Sequence, residues 1–361
     1  MLNGMFALSA RFSNAPEFIG IDPTCRDQIF VKRATELWET ISKDFKHCLR
    51  TLPCLQGLIL LTFSSLLSGP SEDAWILSGT CVRLAYDLDL HTTDAHRQHE
   101  GGSPQQNQEY RFVHVLLPVS DHDWDNRTQA PSALLNANGG MPWKHLTESP
   151  NQSERAWFLV CLAVLRQAYD AAVPPGASVE RLHHAEAVIG CAFLALPRSF
   201  QDLSMSGASW PTSHVTFNWI ACSLIVLNWY ALCPLQNETL QPADVRPPRI
   251  YLSTIIEVNR AARLLSPQHL SLCSPFVCCA LVGPSTVHVP DDHILIESQS
   301  ASLCAETIRL VLSDVARHWS IGGILLDIID YKKTSKPASP AGRCSQTPFT
   351  PEWRALVDDI F

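Results

Sequence analysis

The acidic run Asp121–Asp125 is the stretch of this sequence whose residue types most readily suggest chemistry, because three aspartates alternate with a histidine and a tryptophan. A calcium-binding loop built from such carboxylates has a glycine at its sixth position and an acid at its twelfth. Counted from Asp121, those two places hold Asn126 and Ser132. The run therefore fails as a calcium loop. Because prolines bracket it, we expect a solvated loop rather than a helix.

Two groups of histidines are the next candidates for metal binding. His91, His96 and His99 lie close together in a polar stretch, and His183 is followed directly by His184. The spacing of the first group, with no cysteine nearby, matches no structural zinc site. We interpret those three as surface histidines, and we expect one member of the second pair to be exposed and the other half-buried on a helix.

The sequence contains 13 cysteines, but they lack the spacing of a zinc or redox site. No pair is arranged as C-x-x-C, and most of these residues lie within apolar runs. Buried free cysteines behave as small hydrophobic side chains. An odd number of cysteines without a signal peptide is typical of a reducing compartment. We therefore predict free, mostly buried thiols.

Signatures of catalysis are missing from the sequence. It contains no G-x-S-x-G, no P-loop, no G-x-G-x-x-G after a strand and no H-E-x-x-H. We accordingly predict no enzyme activity, no catalytic or metal-binding residue and no cofactor. An α-helical enzyme or small-molecule-binding protein stays open as an alternative, and an apolar pocket with a few polar groups would be its structural cue.

Composition limits the remaining classes of protein. The 361 residues carry a net charge of −8, with 46% hydrophobic and only 17% charged residues. Such a chain is too apolar to be disordered throughout, and it lacks the excess of Lys and Arg that binds nucleic acid through charge. Residues 51–71 and 203–237 are nearly free of charge, which raises the possibility of membrane spans. Polar residues interrupt both runs and no basic cluster flanks them, so we predict buried helices and no membrane partner.

Hydrophobic periodicity predicts an all-α fold in which residues 1–330 form one large helical array and residues 331–361 a flexible tail rich in Pro and Ser. A loop is predicted over Thr92–Asn107, and a short extended run over Val113–Pro118. The predicted helices, in chain order, are Asp27–Leu49, Leu52–Leu67, Asp73–Leu90, Ser153–Ala172, Val179–Leu194, His214–Leu232, Ile250–Leu265, Gln268–His288 and Ala301–Trp319.

The last ten residues mix acids with bulky apolar side chains after the predicted tail. The candidate residues are Trp353, Leu356, Asp358, Asp359 and Phe361. Segments of this composition can fold as a helix into the groove of a partner, which would make this one an activation segment. The alternative is a final helical turn that docks on the chain itself.

The predicted helix Asp73–Leu90 carries a resemblance to a known family. Residues 74–79 and 82–91 are similar to the signature of the fungal-specific transcription factor domain, which is the middle homology region of binuclear zinc-cluster transcription factors. Residues 5–13 and 55–61 resemble the helices that precede this signature, and the similarity extends over about residues 1–330. The signature positions, which the resemblance implies are structural, are Trp75, Gly79, Arg83, Ala85, Leu88 and His91.

The sequence departs from the family pattern in two places. The six-cysteine zinc cluster that binds DNA has no counterpart here, because only Cys25 and Cys48 precede the uncharged helix. Zinc is therefore expected only in a longer form of the protein. About one helix and a turn of the family pattern also have no counterpart near residues 111–113. We expect this apparent deletion to leave the apolar stripe of Asp73–Leu90 without its partner and the domain less stable.

The resemblance implies a nuclear transcription regulator that does no chemistry, of a type often found in specialised-metabolite gene clusters. It implies protein partners, including a homo- or heterodimer, with DNA reached only indirectly. An alternative is an interaction or dominant-negative partner of full-length regulators that does not bind DNA.

Overall fold

The computed structural model describes residues 1–43, 51–69, 71–92, 116–128, 131–135, 141–172, 179–201, 256, 258–265, 274–286 and 295–334. Within these ranges the fold is all-α, as predicted, and its β-structure is a single isolated antiparallel bridge between Leu116 and Leu134. The α-helices are α1 (Leu2–Ser9), α2 (Gln28–Lys43), α3 (Leu52–Ser68), α4 (Glu72–Asp87), α5 (Asp121–Asp125), α6 (Lys144–Glu148), α7 (Glu154–Ala172), α8 (Val179–Ala195), α9 (Arg198–Gln201), α10 (Cys279–Thr286), α11 (Leu295–Ala316) and α12 (Ser320–Thr334).

Helices α3 and α4 form a helical hairpin whose ends are fixed by local sequence. The Thr51 hydroxyl accepts a hydrogen bond from the backbone N–H of Cys54 and caps α3, while Gly69 ends that helix with a φ of 131°. Ser71 then caps α4, because its side chain accepts a hydrogen bond from the N–H of Ala74 at 3.1 Å. The predicted helices over these two stretches are confirmed to within a few residues.

The buried residues fall into a large and a small cluster. The large cluster is built mainly from α7, α8, α11 and α12, and Trp157, which is 1% exposed, is the most deeply buried of its tryptophans. The indole N–H of Trp157 donates to Gln152 at 3.1 Å, so this buried polar atom is satisfied. The small cluster joins α2, α3 and α4 through Leu55, Leu58 and Leu84. The predicted inward stripe of α4 therefore has α3 as its partner.

A buried arginine near the start of the chain contacts the junction between α11 and α12. Arg11 is 0% exposed and forms a salt bridge with Asp27, which is 3% exposed. The guanidinium of Arg11 also donates to the backbone oxygen of His318 at 3.0 Å and lies 4.5 Å from the ring centre of Trp319. Phe12 packs against the same tryptophan, with ring centres 5.7 Å apart. Residues 307 positions apart are thus held together by one side chain.

Two helix crossings depend on glycine because the neighbouring helix approaches closely. A Cβ atom at Gly4 of α1 would lie 2.7 Å from the Cβ of Leu60 on α3. A Cβ at Gly322 of α12 would lie 2.6 Å from the backbone N of Ala316, where α11 ends. The close packing of α11 against α12 therefore requires a residue without a side chain at position 322.

The structure corrects two of the predicted elements. Asp121–Asp125 is a helix of five residues and not a loop, because Ser120 caps it by accepting from the N–H of Asp123 at 3.1 Å. Residues 331–334, predicted to be part of the flexible tail, are helical, because α12 continues to Thr334.

The extended run is confirmed where it is described, since the N–H of Leu117 donates to Ala133 at 2.7 Å beside the bridge. The predicted helix His214–Leu232, nearly all of the predicted loop Thr92–Asn107, the apparent deletion near residues 111–113 and the tail after residue 334 lie outside the described residues.

The described helices include none with the length and apolar character needed to cross a membrane. Residues 203–237, the longer of the two uncharged runs, lie outside the described ranges.

Candidate functional site

The inward face of α4 holds two of the six predicted signature residues. Ala85 and Leu88 are partly buried and pack against the small cluster around Leu55, Leu58 and Leu84. Both contribute to the contact between α3 and α4.

The outward face of α4 presents a row of exposed apolar side chains. Trp75 is 79% exposed, Val82 is 55% exposed and Tyr86 is 42% exposed. These positions recur at the spacing of successive turns, so they lie on one side of the helix. Gly79 lies between them, and a Cβ atom there would have no neighbour within 4 Å. We call Trp75, Gly79, Val82 and Tyr86 the outer face of α4.

Arg83 lies beside this outer face and is itself exposed. Its spacing from Asp87 is that of an i,i+4 ion pair, which the sequence would favour. No salt bridge joins the two side chains, although both are described. The charge of Arg83 is therefore available at the surface next to Trp75 and Val82.

His91 lies in a short 3-10 helix, Leu90–Thr92, just after α4. Its ring packs on Tyr86, with ring centres 4.5 Å apart. The chain turns there through Asp89, whose φ of 54° places it in the left-handed region. His91 thus supports the end of the outer face, while its two predicted companions, His96 and His99, lie outside the described residues.

A second feature is a groove enclosed by α2, α3, α4 and α12, with a volume of about 760 Å³. Its wall includes Trp38 from α2, Leu61 from α3, Leu77 from α4 and Ile324 from α12. Three carboxylates also line it, one from each of three helices, namely Glu39, Asp73 and Asp327. Sequence reasoning missed this site, because α12 joins the other three helices only through the tertiary fold.

Arg11 and Asp27 form a buried ion pair in which burial shifts the pKa of both groups. Burial raises the pKa of Asp27, and the charge of Arg11 opposes that rise. Burial likewise lowers the pKa of Arg11, and Asp27 opposes that change. The two groups therefore depend on each other to stay charged away from water.

The other sequence candidates do not assemble into a chemical site. In α5, the carboxylate of Asp123 accepts a hydrogen bond from the Ser120 hydroxyl at 2.6 Å, and His122 points to solvent with 83% of its side chain exposed. His183 and His184 are both exposed, so the expectation that one would be half-buried is wrong. Within the part of the chain that the structure describes, no three His, Cys, Asp or Glu residues are placed to hold a metal ion.

The described cysteines are thiols that form no disulfide bond with one another, as predicted, but they are less uniformly buried than expected. Cys161, Cys278 and Cys304 are buried, whereas Cys25 and Cys191 are exposed. The remaining described thiols, at Cys54, Cys81 and Cys279, are intermediate in exposure. Burial raises the pKa of Cys279 to about 11, which keeps this thiol protonated and unreactive at neutral pH.

Comparison with protein families places α4 and its surroundings in a known class. Residues 1–160 match the fungal specific transcription factor domain. This match covers α1 to α6 and the start of α7, and it includes every predicted signature residue. The resemblance found in the sequence is therefore confirmed over these residues, and the matching family describes a regulatory region of fungal transcription factors. The class is a transcription-factor family and not an enzyme family.

The match ends at residue 160, so the predicted resemblance of residues 161–330 stays a prediction. Comparison with curated proteins and with solved structures gave no match for the chain.

Proposed function

We propose that the protein is the regulatory body of a fungal transcription regulator, that it acts in the nucleus, and that it does so through protein partners rather than by binding DNA itself. The observation that carries this proposal is the family match over residues 1–160, which contains the signature helix α4. The net charge of −8 also favours partners over direct contact with phosphates, because such contact relies on clustered Lys and Arg.

The outer face of α4 is where we propose that a protein partner binds. Aromatic residues and arginine are enriched at protein interfaces, and here Trp75 and Tyr86 stand exposed on one face with Arg83 beside them. The same residues do not hold α3 against α4. Their substitution should therefore change partner binding while leaving the hairpin intact.

We also propose that the regulatory domain extends beyond the family match to about residue 330 as one unit. Arg11 and Phe12, inside the matched region, contact His318 and Trp319 outside it. Helix α12 also packs against α3, with the apolar side chain of Ile324 in the shared groove. An unfolding transition shared by both regions would support this, and separate transitions would contradict it.

A tethered reporter tests the proposed function. The chain is fused to the DNA-binding domain of another protein, and transcription from its operator is compared with that given by the DNA-binding domain alone. We expect a change in transcription, whose direction identifies an activator or a repressor. Trp75→Ser should weaken this change, whereas the control Leu310→Ser, at a 68% exposed site on α11, should not. Transcription equal to that of the bare DNA-binding domain would contradict the proposal.

The C-terminal residues Trp353, Leu356, Asp358, Asp359 and Phe361 lie outside the described residues, and their role as an activation segment stays a proposal. Deleting residues 350–361 from the tethered chain should lower activation if the segment contacts the transcription machinery. Unchanged activation would remove this part of the proposal.

A second candidate function is an interaction partner that dimerises with full-length regulators without binding DNA. The exposed apolar residues of the outer face of α4 favour it, because such a face can be covered by a related chain. Coexpression with a full-length regulator separates the two candidates, since a dominant-negative partner should lower reporter output and carry no activity when tethered alone.

Control of a specialised-metabolite gene cluster is a further part of the proposal and rests on the family resemblance alone. Its test is a transcript profile after removal of the gene. Changes confined to clustered biosynthetic genes would support it, and changes confined to unrelated genes would contradict it.

A further inference from the structure

The groove between α2, α3, α4 and α12 has no part in the proposed contacts with partners. Its volume of about 760 Å³ falls in the range of pockets that hold small organic molecules, roughly 300–1,000 Å³. Four helices from both ends of the sequence contribute to its wall, so the space is a product of the tertiary fold and not of a single irregular loop.

The wall of the groove combines small and large side chains. Thr35 and Ser65 are short, whereas Trp38 and Leu77 reach into the groove from α2 and α4. Leu61 is 2% exposed and lies at the buried side of this wall. The result is an apolar surface with one aromatic ring, which suits the hydrocarbon part of a ligand.

The polar part of the wall carries one sign of charge. Glu39, Asp73 and Asp327 come from α2, α4 and α12, and among the described residues that line the groove there is no Lys, Arg or His. None of these three exposed carboxylates has a salt-bridge partner among the described residues. A cation in the groove would therefore complement these three carboxylates.

We propose that this groove binds a small organic cation with an apolar body, such as a hydrophobic amine. The ammonium group would lie between the carboxylates, and the apolar body would contact Leu77, Ile324 and the ring of Trp38, which can also attract the cation through its π-face. The inference goes beyond the proposed function and does not depend on it, because binding is measured directly on the purified chain.

Isothermal titration of the full chain with three probes of one carbon skeleton tests the charge preference. The probes are phenylbutylamine, phenylbutanol and phenylbutyrate, which present a cation, a neutral group and an anion. We expect the amine to bind best and the acid worst. Equal affinity for the amine and the acid, or no heat of binding with the amine, would overturn the proposal.

Matched substitutions on one helix test the position of the site. Glu39→Gln should weaken binding of the amine by up to about fivefold, the effect of one partly exposed ion pair, without changing the affinity for the alcohol. Glu36→Gln is the control, because Glu36 is exposed on the same helix but does not line the groove. Asp327→Asn, on α12, should act like Glu39→Gln. An equal effect of Glu36→Gln and Glu39→Gln would overturn the assignment.

A filling substitution separates binding in the groove from binding elsewhere. Ser65→Phe should abolish binding of both the amine and the alcohol, and Ser68→Ala, at the same wall, should preserve it. Helical circular dichroism of each variant shows whether the fold is kept. Full binding of the amine by a folded Ser65→Phe variant would overturn the proposal. Binding of a lysine-rich helical peptide by a chain that does not bind the amine would also overturn it.

Discussion

Replacing Arg11 by methionine is the perturbation whose consequences the structure specifies most fully. The substitution keeps much of the apolar stem of the side chain and removes its charge. Three interactions are lost together, namely the salt bridge with Asp27, the hydrogen bond to the backbone of His318 and the contact with the ring of Trp319. In the native arrangement Asp27 is 3% exposed. The substitution leaves this buried carboxylate without its cation.

The expected cost follows from leaving a charge buried without its partner. Removing one member of a buried ion pair destabilises proteins by about 3–5 kcal/mol. Whole domains are stable by about 5–15 kcal/mol, so Arg11→Met should remove a large part of the free energy of unfolding. The loss should be felt by both ends of the chain, because Arg11 contacts the junction of α11 and α12.

Urea unfolding followed by far-ultraviolet circular dichroism measures this loss, and pH identifies its cause. Burial raises the pKa of Asp27, and the variant loses the arginine that opposes this rise. An acid whose pKa is higher in the folded state than in the unfolded state binds more protons when folded, so stability falls as pH rises between the two pKa values. The deficit of Arg11→Met should therefore be smaller near pH 5 than near pH 7.

Two further variants show whether the reasoning about Arg11 is correct. Adding Asp27→Asn to Arg11→Met should restore part of the stability and abolish the pH dependence of the deficit, because no buried charge remains. Arg33→Met, at an exposed position of α2, should change stability by less than about 0.5 kcal/mol. An Arg11→Met protein as stable as the wild type, or a deficit that does not vary with pH, would refute the argument.

Three other predictions address packing, helix caps and thiol reactivity. Gly322→Ala should destabilise the protein by about 1–3 kcal/mol, because its Cβ would lie 2.6 Å from the backbone of α11. Gly323→Ala should stabilise it by about 0.5–1 kcal/mol, because a Cβ at that position has no neighbour within 4 Å. Thermal melts compare the two variants. Ser71→Ala removes the cap of α4 and should cost about 1 kcal/mol in urea unfolding. Iodoacetamide at neutral pH should label the exposed Cys25 well before Cys279, whose pKa is about 11, as measured by mass spectrometry of peptides. Equal labelling of the two thiols, or equal melts for the two glycine variants, would contradict these assignments.

Helix α4 could be predicted from the sequence because its signals are local. Ser71 caps it, acids occupy its first turn, and apolar residues follow at helical spacing. The same pattern also placed Leu84 in the core correctly. What the pattern did not reveal is the exposure of Trp75, because side-chain type alone does not show which apolar residues another element covers.

Helix α5 was missed although a signal for it was present. Ser120 is followed three residues later by Asp123, which is the spacing of a capping box, and this cap starts the helix despite the prolines on either side. The prolines on either side do not prevent the helix, because Pro118 lies outside it and does not interrupt its hydrogen bonds.

The groove and the buried ion pair could not be predicted from the sequence by the same means. Each brings together residues far apart in the chain: Arg11 donates a hydrogen bond to His318, and Trp38 lines the same groove as Ile324. Local periodicity places each residue on a helix, but it does not determine which helices meet. Only the tertiary arrangement brings Glu39, Asp73 and Asp327 around one space.

The measurement that most directly tests the central claim is a transcript profile after rapid depletion of the protein in the organism that encodes it. The chain carries a degradation tag, and transcripts are sequenced before secondary effects develop. If the protein is the body of a transcription regulator, a defined set of genes changes, and the tagged chain is recovered from their promoters together with a DNA-binding partner. An unchanged transcript profile with no promoter bound would contradict the account.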